Sequence, residues 1–159
     1  MAAAVHHYRA EVAWRLEEGA DFPRGRYSRA HLWRFDGGIE VRASASPLIV
    51  PKPWSAEDAV DPEEAYVASL SSCHMLTFLD LARRAGFLIE GYDDTAEGEM
   101  VKNADGRYWI ATVTLRPRIA FAGDRRPPAA ELDGLHHAAH RECFISNSVK
   151  TEVRVESAA

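Results

Sequence analysis

Cysteine is scarce in this chain, with two residues in 159, Cys73 and Cys143. So few sulfurs, 70 residues apart, cannot staple a disulfide-dense secreted scaffold. In a reducing compartment any bond between them would be transient and chemical rather than structural. Long apolar runs are also missing. The best candidate is interrupted by Asp80, Arg83 and Arg84 and falls short of the ~18 apolar residues that span a membrane. The opening Met1-Ala2-Ala3-Ala4-Val5-His6-His7-Tyr8 has neither the positive segment nor the long apolar segment of a secretory signal, so a cytoplasmic location is expected. Positive charge is in deficit: 19 Lys+Arg stand against 24 Asp+Glu, a net −5. That balance argues against a nucleic-acid binder held by phosphate neutralisation. Glycine and proline, 10 and 8 residues, are too few for a collagenous or low-complexity polymer. The motifs GxGxxG, P-loop, GxSxG and HExxH are absent, and dinucleotide oxidoreduction, phosphoryl transfer and serine hydrolysis lose their usual marks.

What is present is a globular composition, 47% hydrophobic and 27% charged, at a length that suits one domain over residues 1–159. Strands are expected at Tyr8–Leu16, Tyr27–Phe35 and Ile39–Ala43, the last two joined by the Asp36-Gly37-Gly38 hairpin signal. Pro47, Pro51 and Pro53 make 46–60 a loop, which carries Trp54. Asp61-Pro62-Glu63-Glu64 supplies a capping side chain, proline in the first turn and acids at the positive helix end. The spacing predicts a helix from there to Arg84, closed by Gly86. This helix is apolar on nearly every side, from Ala65 through Leu70 and Phe78 to Leu81, so it must be buried on most sides. A single chain of this size has difficulty surrounding it, which implies a homodimer. Further strands are expected at Thr95–Val101 and Tyr108–Phe121, with Pro117 at an edge or bulge. A second, more polar helix covers Ala129–Arg141 and a strand closes at Val149–Val155. The order β-β-β, helix, β-β, helix, β implies an α+β domain.

Cys73 falls inside the predicted buried helix. A bland core role suits a lone cysteine, whereas chemistry requires a thiolate. It lies ~10 residues past the helix start, beyond reach of the dipole, so some other positive group must lower its pKa. Arg29 and Arg26 are the candidates. Cys143 follows the second helix, where a thiol is easier to move than in a packed core, which suits a resolving partner. His136 and His140 stand i, i+4 with Cys143 three residues on, a spacing zinc accepts. Four ligands would require His74 and Cys73 as well. The preferred reading makes His136, His137 and His140 a solvated helix face and His74 a core or pocket-wall residue.

The run from Asp61-Pro62-Glu63-Glu64-Ala65-Tyr66 to Ser71-Ser72-Cys73-His74 resembles the central-helix motif of the osmotically inducible protein C / organic hydroperoxide resistance (OsmC/Ohr) family. Cys143-Phe144-Ile145-Ser146-Asn147-Ser148 resembles its second-cysteine motif, with Phe144 where proline is common. Tyr27-Ser28-Arg29 and Asp36-Gly37-Gly38 fit the family's N-terminal half. His74 after the first cysteine and the proline-rich loop point to an OsmC-like branch.

This resemblance implies an OsmC/Ohr-like fold, with antiparallel sheets around a long buried central helix in an intertwined homodimer whose active sites lie at the subunit interface. It implies a thiol peroxidase that reduces organic hydroperoxides without metal, flavin or nicotinamide, recharged by a dithiol of the dihydrolipoyl kind. Cys73 matches the peroxidatic cysteine, Cys143 the resolving one and Glu63 the family's glutamate. Arg29 best matches its arginine, with Arg26 as the alternative. Ten helical residues separate Glu63 from Cys73 by ~15 Å and ~80° of turn, so the two cannot touch directly. The competing expectation is a non-catalytic OsmC-like protein that binds a small ligand or a metal.

Overall fold

The structure, a computed structural model, describes residues 4–157 and resolves into two compact units that meet in sequence at Ala65/Tyr66. In the first, β1 (Ala10–Ala13), β2 (His31–Phe35) and β3 (Glu40–Ala43) form an antiparallel sheet in the order β1-β2-β3. The expected hairpin is present: Gly38 adopts φ +78° and its N–H donates to the Phe35 carbonyl at 3.0 Å. The first two strands are shorter than expected. Before β2 the chain is spent on a tight turn, in which Asp21 and Arg26 exchange backbone hydrogen bonds of 3.1 and 3.0 Å and Gly25 takes φ +71°. Residues 46–60 form the expected loop. It is tied back to β3 by bonds from Val60 N to Arg42 O and from Ser44 N to Val60 O.

The helix begins where the sequence places it. Asp61 accepts from Glu64 N at 2.7 Å while Glu64 accepts from Asp61 N at 3.1 Å, a reciprocal capping box. α1 (Pro62–Arg84) then runs for 23 residues. It stops in a Schellman turn: Phe87 N reaches Ala82 O, Gly86 N reaches Arg83 O, and Gly86 takes φ +81°. Within this chain only one stripe of α1 is buried, Leu70, His74, Phe78 and Ala82, repeating every fourth residue. Burial on most sides is therefore not found in the single chain, and Leu76 is 61% exposed. One chain supplies neighbours for one face only.

In the second unit, β4 (Leu88–Asp94) pairs antiparallel with β7 (Pro117–Ala122), a two-stranded sheet. β5 (Glu97–Lys102) pairs antiparallel with β6 (Tyr108–Leu115), and β8 (Glu152–Val155) joins β6 in parallel. β4 was not expected, because Gly91 and Asp93-Asp94 break its alternation, and the register slips between Ile89 and Gly91. The single strand expected over Tyr108–Phe121 is two. Arg116 breaks it: its N–H donates to Asp94 and its guanidinium bridges Glu97 and Glu156. Pro117 opens β7, where both strands are edges and tolerate it.

α2 (Ala129–Glu142) buries Leu132, His136 and Ala139. Phe78, Ala82, Phe87, Phe121, Leu132 and Ala139 form one apolar cluster, and Leu70, Val113 and Leu115 another. Among the described residues, no helix is long and apolar enough to cross a membrane.

Candidate functional site

Cys143 caps the C-terminus of α2, its N–H donating to Ala139 O at 2.9 Å. The chain then coils into a 3₁₀ turn, Ser146–Ser148, and two amides at its start face the sulfurs. Ser146 N donates to Cys143 Sγ at 3.4 Å, and Ile145 N donates across to Cys73 Sγ at 3.5 Å. The Asn147 side chain fastens the turn to Cys143 O and Arg141 O. The two thiols, both free, are interacting neighbours. Folding thus joins sulfurs from α1 and from the end of α2.

Their surroundings differ. Cys73 is half-buried, whereas Cys143 has 0% exposure. The expectation that its helix-end place leaves Cys143 easier to move is corrected: the 3₁₀ turn folds back over the helix end and closes it in. Burial pushes the Cys73 thiol above its usual range, and the Cys143 thiol adds to this, while the amides of Ile145 and Phe144 pull the other way. The second unit brings the sulfurs together without making Cys73 a ready thiolate.

Beside the sulfurs is a polar pair in an apolar seam. His74 Nε2 and His136 Nδ1 are 3.1 Å apart. Their planes differ by 11° with centroids 5.4 Å apart, so the rings meet edge to edge through one N–H···N bond. His136 also stacks on Phe78 at 4.4 Å. His74 is buried, as expected, but His136 is only 4% exposed, which corrects its reading as part of a solvated face. Only His137 of the three helix histidines is exposed. The missed signal was spacing: Leu132, His136, Ala139 and Cys143 share one face of α2. Burial pushes both imidazoles down to about 4. No group of three or more His, Cys, Asp or Glu among the described residues is arranged to hold a metal.

In the first unit, the Arg29 guanidinium donates to Gly25 O at 2.8 Å and Tyr27 O at 2.6 Å and lies 3.7 Å over the Tyr27 ring. Its own N–H bonds Trp54 O at 2.9 Å, which fixes the loop tryptophan to it. Arg26 is instead exposed, with its backbone locked to Asp21. Arg29 is therefore the more ordered guanidinium. Glu63 is half-buried in the first turn of α1. Its neighbour Glu64 is committed to the cap, so Glu63 is the acid of the pair left for other work. A cavity of about 530 Å³ in this unit has Ser28, Ala30, Arg42 and Ser55 in its wall, and the buried Ser55 hydroxyl there has no partner.

An α+β fold that sets two reduced cysteines side by side across its helices defines an OsmC-like protein. The family model described as OsmC-like protein matches residues 55–158, and the chain belongs to that family. It is 47% identical to an OsmC-like protein of unknown function from Vibrio cholerae, with 97% of this chain and 100% of that one covered at a TM-score of 0.94. Two more distant structures share the fold. The organic hydroperoxide resistance protein OsmC of Legionella pneumophila has 17% identity, a TM-score of 0.71 and coverage of 99% and 100%. The organic hydroperoxide resistance protein OhrB of Bacillus subtilis has 19% identity, a TM-score of 0.67 and coverage of 95% and 98%. No curated protein matches the chain.

Proposed function

We propose that this protein is a cytoplasmic thiol peroxidase that reduces organic hydroperoxides to alcohols, acting as a homodimer of one OsmC/Ohr-like domain. The observation that carries the reading is the meeting of Cys73 and Cys143 from distant parts of the sequence. The Cys73 thiolate attacks the terminal peroxide oxygen. The O–O bond breaks, the alkoxide leaves and takes a proton as alcohol, and Cys73 is oxidised to sulfenic acid. Cys143 sulfur then attacks Cys73, the S–O bond breaks, and hydroxide leaves as water with the proton Cys143 gave up. A dithiol reduces the disulfide by exchange.

Because burial works against ionising Cys73, the reading requires a cation. Arg29 fills that role, stabilising thiolate and peroxide, with the Glu63 carboxylate holding the guanidinium. Phe144, 80% exposed beside the sulfurs, supports an apolar approach path suited to alkyl rather than hydrogen peroxide. The open apolar positions on α1 and on the β1-β2-β3 sheet support the dimer.

The test is consumption of cumene hydroperoxide with dithiothreitol. It is expected to vanish in Cys73→Ser, while Cys143→Ser leaves a Cys73 sulfenic acid that dimedone traps. Retained activity in Cys73→Ser ends the proposal. Arg29→Ala is expected to slow turnover with the fold intact, and Arg26→Ala to leave it unchanged; the opposite ranking transfers the role to Arg26. A second reading, small-ligand binding, is favoured by the cavity at Ser55. It requires a ligand whose thermal stabilisation of the protein survives Cys73→Ser and is lost in Ser55→Leu.

A further inference from the structure

The α1/α2 seam is apolar at nearly every step. Phe78 and Ala82 on α1 pack with Leu132 and Ala139 on α2 in one cluster. Into this seam the sequence inserts two imidazoles, fully and almost fully buried, that satisfy one another through a single hydrogen bond. The other nitrogen of each has no partner. Apolar packing tolerates small slips between helices. A hydrogen-bonded pair does not, because a slip leaves two buried polar groups without their bond. A lone buried asparagine fixes the register of a coiled coil by the same logic.

The register chosen here has a chemical consequence. His74 is the residue after Cys73, and Cys143 lies seven residues, two helical turns, beyond His136 on the same face. Both contacts therefore tie the same stretch of α1 to α2 and its end, and a slip of α2 that breaks the first displaces the second. We propose that the His74–His136 pair is a positioning device that fixes α2 on α1 so that Cys143 can close on Cys73. The inference rests on the reading of the two cysteines as a redox pair. It assigns the histidines no contact with substrate. The step they serve is condensation of Cys73–SOH with Cys143–SH to give the disulfide and water, for which the two Cα atoms must stay within ~7 Å. His140 near His74, and Asp133, His137 and Asp94 near His136, are the other titratable groups facing the pair.

The test separates positioning from peroxide chemistry by closing the bond with diamide, which takes two electrons and two protons from the thiols. Closure is followed at pH 7 by alkylation and mass spectrometry, and the dithiol–disulfide equilibrium is read in dithiothreitol buffers. His74→Phe/His136→Phe keeps ring volume and the stack on Phe78 but removes the bond. It is expected to close about tenfold or more slowly, the scale of one lost buried hydrogen bond. In a Cys143→Ser background, its Cys73 is expected to alkylate at the rate of Cys143→Ser alone. His74→Gln/His136→Asn places amide atoms where Nε2 and Nδ1 stood and is expected to restore closure. The swapped His74→Asn/His136→Gln has the same composition and the wrong reach, and is expected to stay slow; this comparison decides the matter if the phenylalanine pair does not fold. Equal closure in the matched and swapped amide pairs overturns the proposal, as does wild-type closure in the phenylalanine pair. If hydroperoxide consumption is lacking while the matched and swapped pairs differ, the positioning role stands and the peroxidase reading falls.

Discussion

The strands before Ala65 and the elements after Tyr66 are built from similar kinds of residue, but they bury them very differently. The second unit holds two apolar clusters, one centred on Phe78 and Phe121 and one on Leu70 and Val113. Among the described residues of the first unit, the buried apolar set is Ala43 alone, while Val12, Phe22, Phe35, Ile39 and Leu48 are exposed. A three-stranded sheet is stable when one face is packed, and in the single chain Val12 and Phe35 of this one are open while Leu32, Trp33 and Val41 are only half-buried. Possessing apolar residues is thus separable from possessing a core. The open apolar positions of the first unit are the ones the proposed second copy would cover.

Four measurements sharpen or break this contrast. The largest effect is expected in the packed unit, where Phe78→Ala should cost about 3–5 kcal/mol in urea unfolding. Acid comes next. His74 and His136 are held down to about 4 against an ordinary 6.5, so as pH falls the unfolded chain takes up protons before the folded one. Stability is complete above about 6.5 and is progressively lost toward 4 as the imidazoles charge. Unfolding midpoints at pH 7 and 4.5 check this, and His74→Phe/His136→Phe should flatten the slope. Asp61→Ala, which removes the capping box of α1, should cost about 1 kcal/mol. The smallest thermal effect belongs to the open sheet: Ile39→Ala should change the stability of dilute monomer by less than about 0.5 kcal/mol. Ile39→Asp should nevertheless lower the self-association seen by sedimentation, and an unchanged dimer would show that this face is not the one covered.

The parts of this molecule legible in its sequence are those fixed by local chemistry. Asp61-Pro62 announced α1 because capping and proline both act within one turn, and Asp36-Gly37-Gly38 announced the hairpin because only glycine enters its positive-φ corner cheaply. What escaped was set at a distance. β4 is a strand because β7 pairs with it, across a glycine and two aspartates that break its alternation. The break at Arg116 depends on Asp94, Glu97 and Glu156, all remote in sequence. Of the candidate site, the cysteines and Arg29 were visible as residue types, but the burial of His136 was not, because it depends on His74, 62 residues away. The complete enclosure of Cys143 was hidden for the same reason: the turn that seals it comes after it in the chain.

That enclosure makes the sulfur pair asymmetric in time. A reagent diffusing in from solvent encounters Cys73 first and Cys143 only after the chain opens, so brief alkylation of the native protein labels one position and leaves the other for mass spectrometry to find untouched. The hidden thiol is kept from stray reagents for as long as the fold stays closed.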